Sequence, residues 1–213
     1  MQVDNAIYWN SVAGTKVFAT PIPYDALCLR LPLDARILDV GCGHGRALKE
    51  FETRGYRNLE GIDCAPKMLE IASSILLPPA KLRIGYAESL PGGSNTFDLV
   101  LLVAILTTIT DLDEEQKAID EALRVLRPGG ILFVNDMLVS SRGRPYEFFE
   151  DRHGRYGRFL VDSKHYVKHC SEERFKALLG KFEIETIDRV EWLSMNGNLD
   201  TGVSIICKKP GAS

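Results

Sequence analysis

The densest chemistry in the chain lies in Ile37-Leu38-Asp39-Val40-Gly41-Cys42-Gly43-His44-Gly45. An apolar run that ends in G-x-G-x-G and opens a helix lets a ligand approach the backbone closely, because glycine has no Cβ. A dinucleotide would want G-x-G-x-x-G, with its pyrophosphate on the helix N-terminus. Here Arg46 stands where the last glycine belongs. Asp39, just ahead of the turn, would repel a pyrophosphate and suits a cationic ligand.

A second group of chemically able residues falls later. His153, His165 and His169 are candidates for a general base, as is Asp136 at the end of an apolar run. From 142 to 170 there are seven basic residues (Arg142, Arg144, Arg152, Arg155, Arg158, Lys164, Lys168) against Glu147, Glu150, Asp151 and Asp162. That excess would suit a carboxylate- or phosphate-bearing partner, or an RNA. Cys28, Cys42, Cys64, Cys170 and Cys207 are scattered, with no C-x-x-C pair. They read as reduced thiols used in packing; no disulfide framework and no metal site is expected.

These groups need elements to hold them. Strand-like runs at 36–40, 58–62, 81–85, 97–103 and 131–134 alternate with helical patterns that begin near Arg46, Pro66 and Asp111. That alternation predicts a parallel sheet with helices packed on it. The run at 97–103 is almost wholly apolar, as for a strand covered on both faces. Asp111 followed by Glu114 predicts a capping box, and Pro128-Gly129-Gly130 a break before the fifth strand. Residues 139–170 have no clean period; a lid is expected there, with a short helix near 145–151. A helix capped by Ser171 and strands at about 183–190 and 203–208 close the chain.

Composition excludes several classes. With 213 residues, 45% hydrophobic and 26% charged, the chain is neither disordered nor a disulfide scaffold. A net charge of -3 argues against a nonspecific nucleic-acid binder. The longest apolar run, 99–106, is far short of the roughly 20 residues that span a bilayer. No basic stretch followed by an apolar one opens the sequence, so a cytoplasmic location is expected.

The ordered segments LDVGCGHG, GIDCAPKML, GYAESLP with FDLVLL, and LRVLRPGGILFV resemble the class I S-adenosylmethionine-dependent methyltransferases over residues 36–136. Tyr8-Trp9-Asn10 is similar to the leading helix of the small-molecule branch. The resemblance implies that Gly41, Cys42 and Gly43 line the amino-acid tail of the cofactor, its carboxylate using N–H groups at the helix start. Asp39 would offset the ammonium or bind turn amides. Asp63 would accept hydrogen bonds from both ribose hydroxyls. Met68 and Cys64 would flank the adenine, although Met68 fits ordinary helix core equally well. Ala87 and Glu88 would meet the adenine amino group, and Val103 with Ala104 the sulfonium. Trp9 would cover the mouth of the site.

The family's N6-amino enzymes carry [DN]-P-P-[YF] where this chain reads Val103-Ala104-Ile105-Leu106, so adenine amino groups are not the expected acceptor. Its metal-dependent members place an Asp-Asn pair near the fifth strand; here Asn135-Asp136 is reversed, facing the acceptor pocket if the topology holds. The resemblance thus implies a doubly wound, seven-stranded, mostly parallel sheet whose final strand is antiparallel. One domain, 1–213, would comprise a helical cap (1–35), a cofactor core (36–136), a substrate lid between strands five and six (139–170) and a C-terminal helix with two strands (171–213). The expected activity is methyl transfer from S-adenosylmethionine to a small molecule, anionic if the basic lid selects it, releasing S-adenosylhomocysteine from a monomer or homodimer. An RNA or protein methyltransferase, a nicotinamide-dependent dehydrogenase and a silent binding protein of the same fold remain alternatives.

Overall fold

In the computed structural model, which describes residues 5–140 and 144–211, side-chain alternation along the strands divides the core into two layers. The elements run α1 (Asn5–Val12), α2 (Tyr24–Cys28), β1 (Arg36–Val40), α3 (Arg46–Thr53), β2 (Asn58–Asp63), α4 (Pro66–Ile75), β3 (Lys81–Ile84) and β4 (Phe97–Val103). Then follow α5 (Leu112–Val125), β5 (Leu126–Met137), β6 (Glu147–Asp151), β7 (Gly154–Val161), β8 (His165–Cys170), α6 (Glu172–Leu178), β9 (Glu183–Leu193) and β10 (Leu199–Lys208). Seven strands form one sheet in the order β3-β2-β1-β4-β5-β10-β9. The first five are parallel; β10 runs antiparallel to both β5 and β9.

Successive residues on a strand point to opposite faces, so a strand buried on both sides is apolar throughout. Ile37, Leu99, Leu101 and Phe133 pack under α3 and α4 with Leu48, Phe51 and Ala72. Their neighbours Leu38, Val100, Leu102 and Leu132 pack under α5 and α6 with Ile119, Ala122 and Phe175. Helix stops and starts are local: Gly55 at φ +97 follows α3. The Asp111 carboxylate accepts from Asp113 N (2.9 Å) and Glu114 N (3.0 Å), and Ser171 Oγ from Arg174 N (3.1 Å). Only the first half of the expected capping box forms, since the Glu114 side chain turns to a cavity instead.

Three differences from expectation matter for function. Residues 145–151 contain no helix; β6, β7 and β8 form a three-stranded antiparallel sheet. Both of its faces carry aromatic and basic residues, so no apolar–polar alternation was visible. Tyr146 lies flat over Gly157, where a Cβ would meet its ring at 2.6 Å. The Asp151 carboxylate holds the β6–β7 turn by accepting His153 N (2.9 Å) and Gly154 N (3.0 Å). Secondly, Pro128-Gly129-Gly130 does not end a strand but forms a bulge, pairing shifting from Phe97–Leu126 to Leu99–Ile131. Thirdly, β9 and β10 run on to Leu193 and begin at Leu199, making a longer hairpin than the sequence indicated; Trp192 crosses Gly202, where a Cβ would sit 2.5 Å from the indole.

The small sheet is riveted to the large one by buried charge. Arg174 pairs with Glu115 (2.6 Å) and Asp151 (2.8 Å), and Lys168 with Glu115 (3.0 Å). Two cations meet two carboxylates, so removing one member would strand buried charge at a cost of about 3–5 kcal/mol. Lys168 also joins β8 to the β4–α5 loop: its N–H donates to Thr107 O (2.8 Å), and Thr107 Oγ1 donates to Lys168 O (2.8 Å). Arg142, counted in the basic stretch, lies outside the described residues.

Candidate functional site

The order β2-β1-β4 makes the edge between β1 and β4 a topological switch point, where open α/β sheets bind ligands beyond the strand ends. A cavity of about 620 Å³ opens there. Gly41, Gly43 and Gly45 all take left-handed backbone, φ +69, +53 and +84. Their roles differ. A Cβ on Gly45 would meet Ala72 Cβ at 3.0 Å, so that glycine seats α3 against α4. A Cβ on Gly41 would meet Ile105 Cδ1 at 2.6 Å. Gly43 faces nothing within 4 Å, leaving bare backbone toward the cavity.

Asp63 organises that bend. Its Oδ2 accepts Gly43 N–H and its Oδ1 accepts Ala65 N–H, each at 2.8 Å. Cys42 N donates to Ile62 O at 2.9 Å, tying the turn to β2. Burial raises the Asp63 pKa above the ordinary carboxylate value, against the lowering pull of the two amides. Asp39 is buried too; desolvation pushes its carboxyl up to about 7, with Arg46 lowering it and Asp63 raising it. Arg46 Nη2 donates to Thr20 O at 2.7 Å, so the 18–22 segment walls this end. Burial raises the Cys42 thiol well above its ordinary value, which fits packing and not a nucleophile.

The residues assigned from sequence to the nucleoside all line this cavity: Asp39, Gly41, Cys42 and Gly43 on the bend, Asp63, Cys64 and Met68 after β2, Ala87 and Glu88 after β3, Val103 after β4, and Trp9 from α1. Of the four catalytic candidates only His169 does. Its Nδ1 meets Tyr146 Oη at 2.8 Å, and burial pushes its pKa down to about 3. His153 belongs to the β6–β7 turn, away from the cavity lining, with its ring against Arg152. His165 is fully buried beneath α1, stacked on Tyr8 at 4.4 Å, and neither ring nitrogen has a hydrogen-bond partner. Asp136 and Asn135 do not face the acceptor pocket. The Asp136 carboxylate is occupied by Thr107 N (3.1 Å) and Met137 N (2.7 Å), and Asn135 Nδ2 donates to Pro21 O (2.8 Å).

Several lining groups escaped sequence reasoning. Phe18 stacks on His44 at 5.4 Å, and Trp192, Met195, Asn196 and Asp200 come from the long β9–β10 hairpin. Only Glu114 carried a signal, as half of the anticipated capping box. α1 closes over the cavity because Tyr8 Oη donates to Asp162 (2.9 Å), and in the segment that follows the helix Lys16 Nζ donates to Asn196 (2.6 Å). Among the described residues no three His, Cys, Asp or Glu side chains are grouped to hold a metal ion, and no helix is long and apolar enough to cross a membrane.

Residues 38–134 match the family described as "Methyltransferase domain". The chain is 37% identical over 141 residues to human methyltransferase-like protein 27, covering 63% of this chain and 55% of that one. It is 32% identical over 139 residues to 27-O-demethylrifamycin SV methyltransferase of Amycolatopsis mediterranei, covering 62% and 50%. The chain thus spans about half the length of these curated relatives. Among solved structures, a SAM-dependent methyltransferase from Methanosarcina mazei superposes with TM-score 0.75 at 23% identity, over 91% of this chain and all of that one. Burkholderia thailandensis 1,6-didemethyltoxoflavin-N1-methyltransferase, solved with bound 1,6-didemethyltoxoflavin and S-adenosylhomocysteine, does so with TM-score 0.64 at 17% identity, over 95% and 77%. The sheet order, the glycine bend at its switch point and the matched residues 38–134 together give this chain the fold of the class I S-adenosylmethionine-dependent methyltransferases.

Proposed function

We propose that the protein transfers a methyl group from S-adenosylmethionine to a small-molecule acceptor. The observation that carries this reading is the pairing of bare backbone at Gly43 with the Asp63 carboxylate at one wall of a cavity where a second acid beside the bend, Asp39, is desolvated. That set fits the cofactor: a cationic ligand relieves Asp39, and Asp63 keeps unused lone pairs for two hydroxyls.

When bound, S-adenosylmethionine supplies a methyl carbon already activated by a positive sulfur. The chain's own residues then have a positioning task. Asp63 grips the ribose while holding the Gly43 amide in place. Asp39 offsets the ammonium, and the first-turn amides of α3 take the carboxylate. Met68 and Cys64 pack the adenine, with Ala87 and Glu88 at its amino edge. Val103 and Ala104, at the end of β4, line the methyl's path, and Trp9 and Phe18 exclude water. Alignment of this kind is worth roughly 7–11 kcal/mol in well-oriented reactions, so no fixed catalytic constellation is required. His169, neutral near pH 7 and held by Tyr146, braces the lid wall; its conjugate acid is too strong for an efficient general base.

The test is a calorimetric and thermal-shift comparison of S-adenosylhomocysteine with NAD. S-adenosylhomocysteine at 100 times its dissociation constant should stabilise the protein by roughly 2.7 kcal/mol, and NAD should do nothing. Stabilisation by NAD alone would overturn the proposal in favour of a dehydrogenase.

A further inference from the structure

We infer that the acceptor is a small, uncharged, largely apolar molecule, and that the Arg144–Asp200 ion pair sets this selectivity. The inference rests on the methyl-transfer reading above and names the substrate class of the same site.

Away from the glycine bend the cavity runs between α1, the three-stranded sheet and the β9–β10 hairpin. Phe159, Val161, Val167, Trp192 and Met195 form its walls there. A volume of about 620 Å³ lies within the roughly 300–1,000 Å³ of a site for one drug-sized ligand, yet it must admit two. The acceptor is therefore small.

Charge decides the rest. Among the described residues, the charged side chains lining the cavity are five carboxylates (Asp39, Asp63, Glu88, Glu114, Asp200) and two guanidiniums (Arg46, Arg144). Both guanidiniums are engaged. Arg46 donates to Thr20 O at 2.7 Å and its charge acts on the buried Asp39 carboxyl, whose pKa it lowers. Arg144 is paired with Asp200, their side chains only 17% and 5% exposed, and it lies over the Phe159 ring at 5.1 Å. The other described basic residues of the 142–170 stretch do not line this cavity. Arg152, Arg155 and Lys164 are exposed, Arg158 pairs with Glu147, and Lys168 pairs with buried Glu115. An anionic acceptor would be desolvated beside an excess of carboxylates with no unengaged cation among the described lining residues. A cationic one would find Asp200 already neutralised and would face a positive sulfur; the remaining carboxylates stand at the glycine bend (Asp39, Asp63) or, in this reading, at the adenine edge (Glu88, with Glu114 near it). An uncharged molecule meets neither penalty, and Ser194 and Asn196 on the hairpin offer it polar contacts.

The test uses the full chain saturated with S-adenosylhomocysteine and three congeners in equilibrium dialysis: 1-naphthol, 1-naphthoate and 1-naphthylmethylammonium. The wild type should bind 1-naphthol at least tenfold more tightly than either ion. Asp200→Asn, which frees the guanidinium, should strengthen 1-naphthoate at least tenfold. Arg144→Met, which frees the carboxylate, should do the same for the ammonium probe, so two variants carry the test if one fails to fold. Equal or tighter binding of 1-naphthoate by the wild type overturns the inference, as does failure of both folded variants to move the preference. So does binding of S-adenosylhomocysteine with none of the three congeners. A wild type that does not bind S-adenosylhomocysteine overturns the underlying methyl-transfer reading instead.

Discussion

The Asp63 carboxylate and the Gly43 amide, twenty residues apart in sequence, are joined by a 2.8 Å hydrogen bond that ties the end of β2 to the open face of the glycine bend. One side chain thus shapes the backbone against which a ligand would lie and offers its remaining lone pairs to that ligand.

Asp63→Asn should therefore damage binding twice over. The amide cannot accept from both Gly43 N and Ala65 N as the carboxylate does. Hydrogen bonds to charged groups contribute about 1.5–3 kcal/mol each. S-adenosylhomocysteine affinity, measured by calorimetry, should fall about 10- to 150-fold. A change within threefold would reject the ribose assignment.

Two neighbouring glycines should separate stability from binding. Gly43→Ala places its methyl in open space at φ +53, so unfolding in urea should show a loss of only about 1 kcal/mol while ligand affinity drops at least tenfold. Gly45→Ala drives a methyl to within 3.0 Å of Ala72 Cβ at φ +84 and should cost more, about 2–3 kcal/mol. Equal stability losses in the two variants would contradict this division of roles.

Asp39 makes stability depend on pH in an unusual direction. Its folded pKa is raised to about 7 from the ordinary value of 3.8, so between those values the folded state holds the extra proton. Stability from this group is full below about pH 4 and is lost as pH rises through 7. Asp39→Asn should stabilise the ligand-free protein at pH 8 by on the order of 1–4 kcal/mol, with little effect at pH 4, while weakening S-adenosylhomocysteine. Urea titrations at the two pH values, with and without ligand, read this out; a variant less stable at pH 8 would refute it.

His165 should act in the opposite sense. Burial lowers its pKa from 6.5 to about 4, so protonation favours the unfolded chain. Its contribution is intact above pH 6.5 and is lost as pH falls toward 4. His165→Phe keeps the stacking on Tyr8 and removes both unpartnered nitrogens. The fall in Tm between pH 7.5 and 5 should then shrink by a few degrees, as followed by circular dichroism. An undiminished fall would place the acid sensitivity elsewhere.

The three residues of the histidine set show where sequence reasoning stops. His153, His165 and His169 are equivalent as composition, yet one lies on a turn, one under α1 and one in the cavity wall. Nothing in their spacing distinguishes these fates, because each depends on the pleat and register of a sheet whose two faces are both mixed. The basic stretch is dispersed for a related reason: Arg158, Lys168 and Arg144 pair with Glu147, Glu115 and Asp200, and Arg152, Arg155 and Lys164 lie outside the cavity lining.

By itself the sequence determined the parallel core and the residues that line the glycine-bend end of the cavity. Those are written locally: an apolar strand, a glycine bend and a helix start lie within about ten residues, and an acid closes the next strand. Only the tertiary structure decided the acceptor half. Its walls join Asn5 and Trp9 to Phe159 and Asp200, and its charge is settled by Arg144 meeting a partner 56 residues away. Such contacts arise from chain crossings and strand register, which no short stretch of residues specifies.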